Sequence, residues 1–310
     1  MFDRILTVAL NPSLDVTLWI DSVDFSEPNR CEKEKTYAGG KSLNVTRVLK
    51  RLGVPSRNLC LAGQDNAGML TGLLDADGVQ YRLVPVRGAV RENMSIVFPD
   101  GRLLKINRRG APAGENGIRA LAGLIREELL GAKQALLLFA GSLPPDLSPE
   151  QYKELIFSFR SDSVKIAIDS DVFSAADLAQ LKPFLIKPNF VEARNLLGRP
   201  DAGEEELLEG LRELTKQVEH ILLSMGKEGV AYLHGGQITR IRVPDVPVKS
   251  TVGAGDTTLA GFLAAVQQGL APVECARYAA CCGTASVTLE GTEAITPEMV
   301  TPYLTQTEIL

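Results

Sequence analysis

The sequence predicts an α/β fold: a mostly parallel central sheet with helices on both faces, and a small β-lid beside it. Three observations predict it. Short apolar runs alternate with amphipathic stretches of helical period over most of the length. Two segments break that rhythm with strand-like alternation and no helix between. No linker is long enough to divide the 310 residues, so the reading is one domain over 1–310.

The runs Ile5–Leu10, Ala135–Phe139, Val164–Ile168, Phe184–Ile186 and His220–Ser224 are largely apolar. Strands buried on both faces of a parallel sheet read this way. Between them, Ser42–Leu52 sets Leu43, Val45, Val48, Leu49 and Leu52 on one helical face and Arg47, Lys50 and Arg51 on the other. Gly114–Leu130, Glu204–Gln217 and Ala254–Gln268 are further helices. The exceptions are Leu14–Tyr37 and Arg91–Arg108. Within the second, two alternating runs of Met94–Ile106 flank Pro99-Asp100-Gly101, a hairpin signal. Together these pieces, roughly 12–37 and 91–108, read as one β-lid.

Composition narrows the function. The chain is 45% hydrophobic, enough for a sizeable core, and its net charge is −5, which gives no sign of a nucleic-acid partner. An acidic protein that binds anions must gather its positive charge locally. No apolar run is long enough for a membrane span, and the start, with too short an apolar stretch, does not read as a secretory signal. Five cysteines without a Cys-x-x-Cys spacing point to a reduced, cytoplasmic protein with neither a disulfide framework nor a zinc site. The two histidines, His220 and His234, read as surface or turn residues, which disfavours a Ser-His-Asp mechanism.

Four motifs carry chemistry. In Ser250-Thr251-Val252-Gly253-Ala254-Gly255-Asp256, glycines let backbone N–H groups crowd around an anion where a helix begins. Asp256 would repel that anion. It makes sense as a base that takes a proton from an attacking hydroxyl, although Asp is also an ordinary helix cap. No Gly-Lys-Ser/Thr follows, so this is not a P-loop. Ala38-Gly39-Gly40-Lys41-Ser42-Leu43-Asn44 opens a basic helix, with Lys41 as a cation and Asn44 as a partner for hydroxyls; a plain glycine turn reads the same. In Lys187-Pro188-Asn189-Phe190-Val191-Glu192, Asn189 and Glu192 lie one helical turn apart. They suit a hydrated Mg²⁺ or a simple helix cap. Ser224–Gly229 is a turn that offers amides to a nucleotide or merely closes a hairpin.

These motifs, with Asn11-Pro12-Ser13-Leu14-Asp15 and Gly141-Ser142-Leu143-Pro144-Pro145, occur in the order found in PfkB/ribokinase-family carbohydrate kinases. The resemblance covers essentially the whole chain. The Leu-Asn-Pro-Ser-Leu-Asp, Gly-Gly-Lys and Gly-Ser-Leu-Pro-Pro stretches, with Asn29-Arg30 and Val45–Leu49, are similar to the branch of 1-phosphofructokinase and tagatose-6-phosphate kinase. It implies a ribokinase-like fold, ATP and Mg²⁺ as cofactors, and a hexose phosphate as substrate, fructose 1-phosphate first and tagatose 6-phosphate second. By position, Asp256 matches the catalytic base and Gly253, Ala254 and Gly255 the anion hole. Asp15, Gly39, Gly40, Lys41, Asn44 and Ser142 match sugar positions, and Arg91 and Asn93 match lid residues that meet the sugar phosphate, with Lys41 and either Arg30 or Arg108 as further cations for it. Lys187, Asn189, Glu192, Ser224, Gly226, Gly229 and Thr251 match nucleotide contacts, Asn189 and Glu192 holding magnesium through water. Lids of this kind often pair between subunits, so a homodimer is expected.

Several positions depart from the family pattern. Ser42 and Asp146 stand where glycine is usual, Asp169-Ser170-Asp171 replaces Asp-Thr/Ser-Ser-Gly, and Arg108-Arg109 replaces Gly-Pro. These changes put the sugar in doubt. A kinase of an unphosphorylated sugar is the rival within the class. A catalytically silent sugar- or nucleotide-binding protein is the rival outside it, opposed by Asp256. A dehydrogenase is opposed by the lack of an early Gly-x-Gly-x-x-Gly.

Overall fold

A computed structural model describes residues 1–310. Its strands are β1 (Arg4–Ala9), β2 (Ser13–Trp19), β3 (Lys33–Gly39), β4 (Arg57–Gly63), β5 (Tyr81–Val86), β6 (Arg91–Val97), β7 (Leu103–Asn107), β8 (Ala135–Ala140), β9 (Val164–Asp169), β10 (Leu185–Ile186), β11 (His220–Ser224), β12 (Val230–His234), β13 (Gln237–Arg242) and β14 (Glu308–Ile309). Ten of them form one sheet in the order β14-β13-β12-β11-β10-β9-β8-β1-β4-β5. From β11 to β5 every pairing is parallel. The predicted α/β class holds. The sheet also gains an antiparallel edge, β12 to β14, that the apolar runs did not reveal.

Both faces of this sheet are covered. Along β8, Leu137 and Phe139 enter a core of 38 buried residues on one side, and Leu136 and Leu138 a core of 31 on the other. A continuous apolar run is therefore two interleaved faces. On the second face the Ala254–Gln267 helix packs closely on the Pro272–Val287 helix. A Cβ on Gly261 would stand 2.8 Å from Cys282 Sγ, so only glycine permits that approach.

The second sheet runs β3-β2-β6-β7, with Gly101 turning the β6–β7 hairpin at φ +82°. Its β2–β6 pairing sets Ser13 opposite Arg91 and Asp15 opposite Asn93. A small core of Leu14, Ala38, Leu43 and Val90 with Leu70 and Leu74 fastens it to the main body. Strand β7 is exposed throughout.

Two expectations fail. His220 is not a surface residue: it is buried at the start of β11, with Nδ1 2.7 Å from the Tyr232 hydroxyl. Burial, and then the charge on His234, depress its pKa to about 3, so it is neutral. Arg47 occupies a polar position of its helix yet is only 7% exposed, because the Thr292 loop crosses over that face.

Candidate active site

Parallel strands end on one edge, and their following loops meet there. Gly253, at φ +77°, turns the chain from the Ser250–Val252 loop into the Ala254–Gln267 helix. The first-turn N–H groups of such a helix lack internal partners and carry its positive end. Asp256 lies in this turn, 7% exposed. Its Oδ2 accepts a 2.7 Å hydrogen bond from Asn44 Nδ2. Burial, and secondarily the charge of Asp169, push its pKa up to about 7 against the opposing pull of Asn44, Lys187 and Lys41. A carboxylate poised near neutrality can take a proton.

The second sheet closes over this point. A Cβ on Gly39 would overlap the Asp15 carboxyl, so glycine lets that side chain lie flat on the strand. Asp15 Oδ1 accepts from Ser13 Oγ at 2.8 Å and Asn93 Nδ2 at 2.9 Å. Arg91 is half-buried, takes part in no ion pair, and its Nε finds no hydrogen-bond partner; burial lowers its pKa.

These groups share a cavity of about 300 Å³. It is lined by Asp15, Asn93 and Arg91 from the second sheet, Gly40, Lys41 and Asn44 from the glycine turn and its helix, Ser142 after β8, and Gly253 with Asp256. A larger cavity, about 690 Å³, opens at the opposite edge, where β9 and β11 begin, and holds none of the candidates. Ligands of open α/β sheets sit at the carboxyl ends of strands, so the smaller cavity is the relevant one.

Of the nucleotide candidates, Lys187 and Glu192 join the cavity through the sugar-site cation Lys41 and through Asp169. Lys41 Nζ lies 3.0 Å from Asp169 Oδ1 and 3.5 Å from Glu192 Oε1. Despite burial, those two carboxylates raise its pKa. Lys187 Nζ is 3.8 Å from Asp169 Oδ2. Burial alone would raise the Asp169 pKa, but Lys187 and Lys41 hold it below the usual carboxylate range. Asn189 and Glu192 form a reciprocal cap on the Phe190–Leu197 helix, both hydrogen bonds being 2.9 Å. Ser224 bridges to Asn189 and keeps a buried hydroxyl without a partner. Gly229 packs against the Ile241 carbonyl, which requires a residue without Cβ. Gly226 and Thr251 are exposed and make no contact with the cavity.

The pfkB family carbohydrate kinase model matches residues 9–299. The chain belongs to that family. It is 32% identical to a 1-phosphofructokinase of Vibrio cholerae, covering 94% of this chain and 92% of that one. It is 30% identical to a 1-phosphofructokinase of Borreliella burgdorferi, covering 91% of each. Among solved structures, phosphofructokinase-2 from Escherichia coli in complex with potassium superposes with a TM-score of 0.90 at 24% identity, over 98% of this chain and 99% of that one. A possible 1-phosphofructokinase from Thermotoga maritima gives 0.85 at 20% identity, over 99% of each chain. These two likenesses establish the fold. No helix of the kinase is long and apolar enough to cross a membrane.

The departures from the family pattern now separate. In this kinase Asp146 caps the Gly114–Leu129 helix, accepting from Ala113 N and Gly114 N at 2.8 Å each. Arg108 pairs with Glu92 at 3.0 Å and points to solvent, and Arg30 is exposed in the loop between β2 and β3. Ser42 lines the cavity with a buried hydroxyl that has no partner. Sequence reasoning overlooked Asp169 as a site residue, and its place at the end of a parallel strand is the signal that could have found it. In the sequence Asn11 stands out only as part of a motif. It ties two loops together, donating to Arg109 O at 3.0 Å and Leu143 O at 2.9 Å.

Proposed function

We propose that the kinase transfers the γ-phosphoryl group of ATP to a hydroxyl of a hexose phosphate, with fructose 1-phosphate as the first candidate acceptor. The observation that carries this reading is Arg91, a half-buried guanidinium lining the cavity with Asn93 and with no anion in ion-pair contact, Asp15 being the one carboxylate that acts on it. A substrate phosphate would supply that anion. The names of the Vibrio cholerae and Borreliella burgdorferi relatives agree with it. We read the whole chain as one kinase unit, with the second sheet as a lid over the sugar.

In this reading Asp256 accepts the proton of the attacking hydroxyl. The hydroxyl oxygen bonds to the γ-phosphorus as the bond to the β-phosphate oxygen breaks, and ADP leaves. The amides of the Gly253–Gly255 turn, the helix N-terminus and Lys187 face the charge on the transferring group. Asp15 holds sugar hydroxyls, Asn93 stands with Arg91 toward the sugar phosphate, and lid closure excludes water.

No three His, Cys, Asp or Glu side chains converge on a metal position. The donor set nonetheless fits magnesium, which keeps waters and takes few protein ligands. Glu192 Oε1, the carboxylate oxygen not used in the helix cap, and Asn189 would hold it through water. When bound, it neutralises phosphate charge.

A coupled assay with ATP, Mg²⁺ and a panel of fructose 1-phosphate, tagatose 6-phosphate, fructose 6-phosphate and fructose tests this. The reading expects the highest kcat/KM on a phosphorylated sugar. A clear preference for free fructose would overturn it.

A further inference from the structure

We propose that Arg47 is a positioning residue that orients Asn44, and through it Asp256, for phosphoryl transfer. The inference rests on the reading of Asp256 as the base. Arg47 lies one helical turn beyond Asn44, and its Nη2 donates to Asn44 Oδ1 at 2.8 Å. The same nitrogen donates to Thr292 Oγ1 at 3.1 Å and Thr292 O at 3.2 Å, while Nη1 reaches Asp77 Oδ2 at 3.4 Å.

The chemistry of the two groups fixes the direction. A guanidinium can only donate, so the Asn44 oxygen must face it and the Asn44 NH₂ must face Asp256. Without Arg47, a flipped amide would set an oxygen against the Asp256 carboxylate. Thr292 extends the link, because a Cβ on Gly253 would lie 3.4 Å from Thr292 Cγ2. One buried guanidinium thus holds the amide at the base and the loop behind the anion turn. The charged groups that act on Asp256 come from other directions: Asp169 from the end of β9, Lys187 from the segment after β10, and Lys41 from the start of the Lys41–Arg51 helix.

The test is a cycle of Arg47→Met, Asn44→Ala and the double variant in the full chain, assayed with ATP, Mg²⁺ and whichever acceptor supports wild-type turnover. R47M is expected to lower kcat about 10²-fold, the scale of a misplaced reacting group, with KM for ATP nearly unchanged. The acid limb of its kcat/KM profile moves to higher pH, because a lost hydrogen bond to the charged form raises the base's pKa. The double variant is expected to be no slower than N44A within about twofold, since both act at one point. Asp77→Asn, at the rim, leaves kcat unchanged. Losses that multiply, or an acid limb that stays in place, overturn the proposal. Should R47M not fold, Arg47→Lys replaces it: one ammonium cannot serve both Asn44 and Thr292, and wild-type kinetics from R47K would refute the role. If the wild type phosphorylates no acceptor, the functional reading fails by itself. Titration of the Asp256 carboxyl by ¹³C NMR then decides, with an unchanged pKa in R47M counting against Arg47.

Discussion

The ammonium of Lys187 rests against Gly255: a Cβ built on that glycine would stand 2.8 Å from Nζ. Gly255 lies inside a helix, where alanine is favoured over glycine by up to about 1 kcal/mol. Gly255→Ala should therefore leave Tm unchanged or higher while displacing the cation from the anion turn. We expect kcat to fall roughly 10²-fold, the usual scale for one misplaced charge-stabilising group. Undiminished kcat in steady-state assays would mean that Lys187 moves aside freely and takes no part.

Asp256→Asn keeps the shape and removes the base. The expected loss in kcat is about 10²- to 10⁴-fold, and ATP binding survives because the turn amides remain. Retention of more than about a tenth of wild-type kcat would reduce Asp256 to a helix cap. In the wild type, kcat/KM should rise with pH through about 7 as Asp256 ionises, a limb the variant lacks.

The same shift has a consequence for stability. The folded pKa of Asp256, about 7, lies above the ordinary aspartate value of 3.8, so the folded state binds the proton more tightly. The stability this confers is complete below the unfolded pKa and is lost as pH rises through the folded one. Asp256→Asn should thus be more stable than the wild type above pH 7, by on the order of 4 kcal/mol, with the advantage vanishing near pH 4. Thermal melts across that range check it, and a difference independent of pH would contradict the assigned cause.

Arg91→Ala distinguishes a phosphate reader from a lid strut. Removing one partner of a buried charge pair costs roughly 2–5 kcal/mol, so kcat/KM on fructose 1-phosphate should drop roughly 30- to 1,000-fold. Turnover of free fructose, where measurable, should barely change. Equal losses on both sugars would assign Arg91 to lid shape alone, and no loss on either would favour the plain-sugar kinase.

Asp146→Ala removes the cap at Ala113 and Gly114 and should cost about 1 kcal/mol of stability with kcat/KM unchanged within about twofold. An altered preference among the sugars would return Asp146 to the pocket.

Leu104 and Ile106 project from the same face of β7, 48% and 43% exposed. With the β3 and β7 edges unpaired, we expect a homodimer formed through the lid. Light scattering should give a dimer for the wild type and a monomer for Leu104→Glu at about 10 µM, a concentration at which ordinary dimers persist. A monomeric wild type at high micromolar concentration would refute the lid interface.

The parallel strands were legible because a run such as Ala135–Phe139 has no polar face to expose. The Met94–Ile106 hairpin was legible because Pro99-Asp100-Gly101 permits only a turn there. The antiparallel edge from β12 to β14 was not, since Gln237–Arg242 is mostly exposed and mixes polar with apolar residues. The burial of His220 was not legible, because one polar residue in an apolar run carries no sign of whether a partner awaits it. Tyr232 supplies that partner from the neighbouring strand.

By itself, the sequence determined the strand–helix order, the glycine turn before Asp256 and the family. Local periodicity and short motifs record how a segment meets its own surroundings, and those survive without neighbours. Tertiary structure alone decided which charges remain available. Lys41, read as a cation for the sugar phosphate, is claimed by Asp169, 128 residues away, and by Glu192. Asn44 meets Asp256 across 212 residues. Arg47 is drawn inside to hold that amide, and Arg91 is left without an ion pair, with Asp15 the one carboxylate acting on it. Charge pairing depends on distance through space, and only the folded chain brings residues so far apart in sequence within a few ångströms.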